Sequence, residues 1–350
     1  MEWGGGEKWH LEMAYHLHSK GNSVLIITQP GSALGKRALS LGISVHYLKL
    51  NNLSIFNPLK IIYLVRLLKR QQVESIVLNL SRDLKCGGIA AKIAGVNKII
   101  FRRGSARPVR NYFINRFLYQ KVVTGILTNS IATKKAILSN GVSLVSPEKI
   151  VVIPNGIDTL SFIDRPFNYV REKNGGSFTI AALGRLEPQK NFEFLILVAK
   201  ELKKRHISFR ILIGGKGTQE KFLKSLVSEN NLEKEIEFLG FFENPKDLLM
   251  SADIFLLPSL WEGFGYVIAE ASLSCLPVIA FDISSNSEII DKSTGFLTEP
   301  HKVKPFCDKI EYLYLNPKER IAIGKAGQEF VRKNFDSKLV FKSIEAYLRS

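Results

Sequence analysis

From residue 178 to residue 290 short apolar runs alternate with segments of helical periodicity, and no other feature constrains the fold as tightly. The runs Phe178–Leu183, 209–213, 236–239, Ile254–Leu257 and 277–281 read as strands. The intervening 192–205, 219–229, 245–251, 265–273 and 287–290 read as helices. Runs this short and this apolar predict parallel strands covered on both faces by helices.

The first half repeats the scheme less distinctly. Helices are expected over 8–20, 31–41, 58–71, 85–94, 110–122 and 131–139. Strands are expected over 24–28, 45–48, 75–79, 98–101, Gly125–Thr128 and 150–153. A chain of 350 residues suits two cores better than one. Turn chemistry at Pro154-Asn155-Gly156 sets the expected division: 1–154, then 155–335, with a closing helix in 336–350. The first strand of a doubly wound sheet is central and precedes a glycine-rich loop. Here only three residues precede Gly4-Gly5-Gly6. The expectation is that the first strand is missing by truncation, since its absence leaves backbone groups of two neighbours unpaired.

Charge divides with the chain. Residues 1–155 carry 22 Lys and Arg against 6 Asp and Glu, whereas the remainder carries 27 against 26. Between Asp83 and Glu148 lie eleven basic residues and no acidic one. A field confined to one half attracts phosphates, acidic lipid headgroups or nucleic acid. The apolar runs are too short to span a bilayer, and the opening Met-Glu-Trp-Gly-Gly-Gly carries no export signature, so a cytoplasmic location is expected. Cys86, Cys275 and Cys307 are spaced as isolated reduced thiols, and no metal-ligand pattern is present.

Three groups of residues carry chemistry. Glu262-Gly263-Phe264-Gly265, with Glu270 on the following helix, sets two carboxylates beside a glycine-opened helix start, where vicinal diols of sugars can be held. Gly184-Arg185-Leu186, with Lys190 and Asn191, puts two cations at the mouth of a sheet, which suits a diphosphate. Gly214-Gly215-Lys216-Gly217 is either a phosphate nest or a tight turn; the Walker spacing is absent. Singly, each also fits ordinary solvated charges or turns.

Together, and in this order with Ile153-Pro-Asn-Gly-Ile-Asp158 and Pro258-Ser259, these groups resemble the family 4 glycosyltransferases. The resemblance implies the GT-B fold, two facing Rossmann-like domains, and retaining transfer from a nucleotide-sugar donor. By that resemblance Arg185 and Lys190 bind the diphosphate, Glu270 the ribose, and Glu262 with the amides of Gly263, Phe264 and Gly265 the donor sugar. Gly184 and Gly215 belong to the same site, Gly240 and Phe241 lie beside the base, and Gly5 and Gly6 form a loop facing the diphosphate and acceptor. Where many members carry His near the reacting sugar, this chain has Phe101-Arg102-Arg103-Gly104. Arg103 in that place offers a cation and no proton acceptor, which suits an anionic acceptor or the departing diphosphate better than general-base work.

The expected enzyme is a metal-independent hexosyltransferase without cofactor, acting on a glycan or lipid-linked acceptor in cell-envelope polysaccharide synthesis. Aromatic and basic residues alternating over 110–122 suggest an interfacial helix on the inner face of an anionic membrane. Nucleic acid is not an expected partner, because the Arg185, Lys190, Glu262 and Glu270 set argues for a donor pocket. The alternatives are another GT-B activity, such as an epimerase or phosphorylase, or a truncated transferase with impaired turnover.

Overall fold

A computed structural model describes residues 4–139, 141, 144–171 and 178–349. The chain forms two compact units. One runs up to Gly156 and takes back the chain from Ser337 onward; the other is Ile157–Asp336.

The first unit holds β1 (Leu25–Thr28), β2 (Ser44–Tyr47), β3 (Ser75–Leu78), β4 (Lys98–Arg103), β5 (Gly125–Thr128) and β6 (Ile150–Val152). All pairings are parallel, but they make two sheets, β1-β2 and β3-β4-β5-β6. Among the described residues β1 and β3 each pair on one side only, and no strand joins them. Helix Gly5–Ser19 and the C-terminal helix Ser337–Arg349 cover one face, packing Trp9, Met13 and Ile344 on Ile100 and Leu127. Helix Pro58–Arg70 covers the other face with Leu64, Leu67 and Leu68. The C-terminal helix is tied by Glu345, whose carboxylate accepts from Lys20 (2.6 Å), His16 (3.3 Å) and Arg349 (2.9 Å).

The second unit holds β7 (Phe178–Leu183), β8 (Phe209–Gly214), β9 (Ile236–Gly240), β10 (Ile254–Leu257), β11 (Val278–Phe281) and β12 (Gly295–Thr298). They form one parallel sheet in the order β12-β11-β10-β7-β8-β9. Alternate residues feed separate cores: Ile180 and Ala182 one face, Ala181 and Leu183 the other. Each such buried Ile or Leu contributes about 1.5–3 kcal/mol. The order reverses between β7 and β10, and in open α/β sheets ligands bind beyond the carboxyl ends of strands at that point.

Candidate donor site

Three turns leave the carboxyl ends of β7, β8 and β9 in backbone contact. Gly184 N donates to Gly214 O at 3.0 Å, Leu186 N to Lys216 O at 3.0 Å, and Gly215 N to Gly240 O at 2.6 Å. Gly215 has φ +139°, and a Cβ there would lie 1.8 Å from the Gly184 carbonyl oxygen, so only glycine fits. A Cβ on Gly184 would meet Lys190 Cε at 2.9 Å; its absence lets the lysine stem lie along the backbone. Glu187 accepts from Thr218 N (3.0 Å) and Oγ1 (2.8 Å), bonds that hold its carboxyl below the usual range.

The turn after β7 is also fastened to the loop after β10, across the switch point. Leu260 N donates to Gln189 O at 2.8 Å, Gln189 Nε2 to Trp261 O at 2.8 Å, and Asn191 Nδ2 to Pro258 O at 3.2 Å. These bonds bring Lys190 onto Glu262, Nζ to Oε1 2.6 Å, with the two side chains only 11% and 8% exposed. Gly265, at φ +76°, caps helix Tyr266–Leu273, on which Glu270 is buried. Phe264 is buried with its ring edge-on to Tyr266 (5.2 Å) and Phe335 (5.4 Å), which fixes the backbone of 263–265. Arg185 and Phe241 stand exposed beside this cluster of turns. Thus Arg185, Lys190, Glu262, Glu270 and the glycines 184, 215, 240, 263 and 265 gather on one unit at one edge of one sheet. The Lys190–Glu262 ion pair is new, because spacing in sequence assigns the two residues separate partners.

The first unit holds the remaining expected residues. Gly5 and Gly6 are the first residues of helix Gly5–Ser19, not a loop before a helix at residue 8. Gly6 lies against Asn79, whose Nδ2 a Cβ would meet at 3.0 Å. Near them stands Arg102 rather than Arg103. Arg102 is 3% exposed, stacks 4.2 Å from the Trp9 ring centroid, and donates to Asn79 Oδ1 (3.0 Å) and Asn155 Oδ1 (2.9 Å). Arg103 points to the opposite face, donating to Arg107 O beside the buried Tyr119. The reason is the strand period: Arg102 shares a face with Ile100, on the side of Trp9, and Arg103 shares the other face with Phe101. His10 is half-buried near Arg102 with its Nε2 shut off from solvent, and its pKa is held down at about 3 by desolvation first and by that cation second. The interfacial helix over 110–122 is also corrected. Phe113–Phe117 runs into a wider turn, Leu118–Val122, whose Leu118, Tyr119 and Val122 are buried. Among the described residues no group of three His, Cys, Asp or Glu is arranged to hold a metal. Cys86 and Cys307 are buried and Cys275 half-buried, all as free thiols.

Two family models divide the chain between them. Residues 167–330 match the model for glycosyl transferases group 1, and residues 3–160 that for glycosyltransferase family 4. The chain is a family 4 glycosyltransferase.

Its relatives include the UDP-Gal:alpha-D-GlcNAc-diphosphoundecaprenol alpha-1,3-galactosyltransferase of Escherichia coli, 28% identical over 74% of this chain and 71% of that one. One subunit of human phosphatidylinositol N-acetylglucosaminyltransferase is 25% identical over 88% of this chain and 65% of its own length. Among solved structures, Anabaena HepE in complex with UDP superposes with TM-score 0.84 at 22% identity, over 99% of this chain and 96% of that one. A glycosyltransferase from Rickettsia africae gives TM-score 0.84 at 24% identity, over 98% and 94%. The fold of this family 4 member is therefore GT-B, an α/β chain of two Rossmann-like domains.

Proposed function

We propose that this family 4 protein moves a sugar from a nucleotide-diphosphate sugar to a glycan or lipid-linked acceptor, with retention at the anomeric carbon. The observation that carries the reading is the Lys190–Glu262 pair at the β7/β10 switch point, with Arg185 and Glu270 on the same edge. In it Arg185 and Lys190 grip the diphosphate, Glu270 the ribose hydroxyls, and Glu262 with the amides of 263–265 the donor sugar. Phe241, 71% exposed and next to Gly240, offers a ring for the base. The Escherichia coli and human relatives, named for a lipid diphosphate and a phosphatidylinositol acceptor, support an acceptor of the same kind. The solved relative holding UDP supports a uridine donor.

The acceptor hydroxyl attacks the face from which the diphosphate leaves and passes its proton to a leaving phosphate oxygen. The C1–O bond to the diphosphate breaks as the new glycosidic bond forms, and no carboxylate nucleophile is needed. Arg185 and Lys190 take up the charge that develops on the diphosphate, so the reaction is metal-independent. The basic N-terminal unit supplies the acceptor side and holds the protein peripherally on the inner membrane face.

A thermal-shift panel of UDP-, GDP-, ADP- and dTDP-sugars on wild type and Lys190→Ala tests the donor assignment. Stabilisation by one nucleotide, lost in the variant, is expected. A folded protein that responds to none of them would sink it. Turnover unchanged by a chelator is the matching expectation for metal independence.

A further inference from the structure

The loop that carries Glu262 is tied to the turn that carries Lys190 by more than their ion pair. Pro188–Lys190 is one turn of 3₁₀ helix, in which Lys190 N donates to Glu187 O at 2.9 Å. Asn191 N donates to Pro188 O at 3.2 Å and ends the turn in the left-handed region, φ +52°, where it is buried. The turn is thereby fixed at both ends, and its successive side chains all reach the loop after β10. Gln189 Nε2 donates to Trp261 O at 2.8 Å, Lys190 Nζ to Glu262 Oε1 at 2.6 Å, and Asn191 Nδ2 to Pro258 O at 3.2 Å. Gln189 O also accepts from Leu260 N at 2.8 Å. Gln189 thus grips residues 260 and 261, immediately before the Glu262 carboxylate, while Asn191 fastens the base of the loop at Pro258.

The ion pair and the Gln189 bond differ once an anion arrives. On the reading of this edge as a donor site, Lys190 turns to the diphosphate, and an ammonium shared with phosphate oxygens holds a carboxylate less firmly. The Gln189–Trp261 bond joins a neutral amide to a main-chain carbonyl. An incoming anion is drawn to Arg185 and Lys190 rather than to that amide, so this tie persists when the ion pair loosens.

We propose that Gln189 is a positioning residue for sugar transfer: its side chain holds the loop at Trp261 so that Glu262 keeps its place for the donor sugar while Lys190 serves the diphosphate. The role rests on the reading of Arg185, Lys190, Glu262 and Glu270 as a donor site, and it couples the diphosphate half of that site to the sugar half. Its consequence is a split in recognition. The free diphosphate is held without the Gln189 side chain, and the attached sugar is not.

The test is calorimetric titration of the full chain with UDP, GDP, ADP and dTDP, each free and as its glucose ester. The variants are Gln189→Ala, which keeps the main-chain bond to Leu260, and Gln189→Glu, which turns a carboxylate oxygen on the Trp261 carbonyl. Glu262→Gln and the double variant Gln189→Ala with Glu262→Gln complete a cycle. For the nucleotide that wild type binds, both Gln189 variants are expected to hold the free diphosphate within about twofold. They should lose roughly three- to tenfold for the glucose ester, the usual net strength of one hydrogen bond. The double variant should lose no more than Glu262→Gln alone, because Gln189 acts through that carboxylate. Ester affinity lowered by Glu262→Gln and untouched by Gln189→Ala would overturn the positioning role and leave the donor reading standing. So would losses that add in full, equal losses for free diphosphate and ester, or melting of both Gln189 variants far below wild type, each of which assigns Gln189 to the fold alone. Wild type that binds none of the probes, or ester affinity that neither Gln189→Ala nor Glu262→Gln changes, would remove the donor reading and the role built on it.

Discussion

Lys190 and Glu262 hold each other at 2.6 Å with little solvent around either. Removing one partner of such a pair strands the other charge, at a cost of about 3–5 kcal/mol when burial is complete. Lys190→Ala is therefore expected to lower both the melting temperature and the transfer rate, the latter by roughly 10²–10³. Lys190→Met with Glu262→Gln should recover most of the stability, read by thermal melting, and none of the donor-induced shift. His10 carries a separate prediction. Its folded pKa, about 3, lies below the ordinary 6.5, so the unfolded chain binds the extra proton first. Its contribution is complete above about pH 6.5 and is lost as the pH falls towards 3. Melting temperatures of His10→Gln should fall less than those of wild type between pH 7 and pH 4. At this scale the sequence shows the donor residues by their order, because each follows a strand end. It hides which arginine of Arg102 and Arg103 faces inward, unless the period of two is carried through β4 from Ile100.

The three turns after β7, β8 and β9 act as one element, since each closes on the next through main-chain bonds. Gly215→Ala would drive a methyl group into the Gly184 carbonyl and strain a left-handed φ. A loss of roughly 2–4 kcal/mol is expected, with weaker nucleotide binding by calorimetry. Glycines here serve close approach of backbone to backbone, as the contact of Gly215 with the Gly184 carbonyl shows. Strands β5, β7 and β10 are legible to the residue because they are continuous apolar runs between turn signals. Strand β12 and helices Val303–Leu315 and Pro317–Phe335 are not. The strand is four residues long at a sheet edge, and Pro305 falls inside the first turn of the first of those helices, where proline is tolerated but reads as a break. The helix expected over 110–122 starts at Phe113 and widens over Leu118–Val122 without a break, with Leu118, Tyr119 and Val122 in the core and Phe113 outside.

At the scale of the molecule, the second unit is an insertion within the first. The chain leaves at Gly156 and returns at Ser337, and the crossings lie side by side: Ile157 bridges Asp336, and Gly156 is so close to Ser337 that a Cβ would sit 2.6 Å from its Cα. Ile157–Asp336 contains both of its cores and its whole sheet. Expressed alone, it should melt cooperatively and keep the nucleotide shift. A chain ending at Asp336 should instead lose protection of the amides in β4 and β5 by hydrogen exchange, because Val340, Phe341 and Ile344 no longer cover Ile100 and Leu127. The same discontinuity sets an order of events at the ribosome. The unit Ile157–Asp336 is fully made and free to fold while the basic unit, begun first, still lacks helix Ser337–Arg349. Until helix Ser337–Arg349 is made, Val340, Phe341 and Ile344 are missing from the cluster of Trp9, Ile100 and Leu127, and that face of the nascent unit stays open to chaperones during the whole synthesis of the other one.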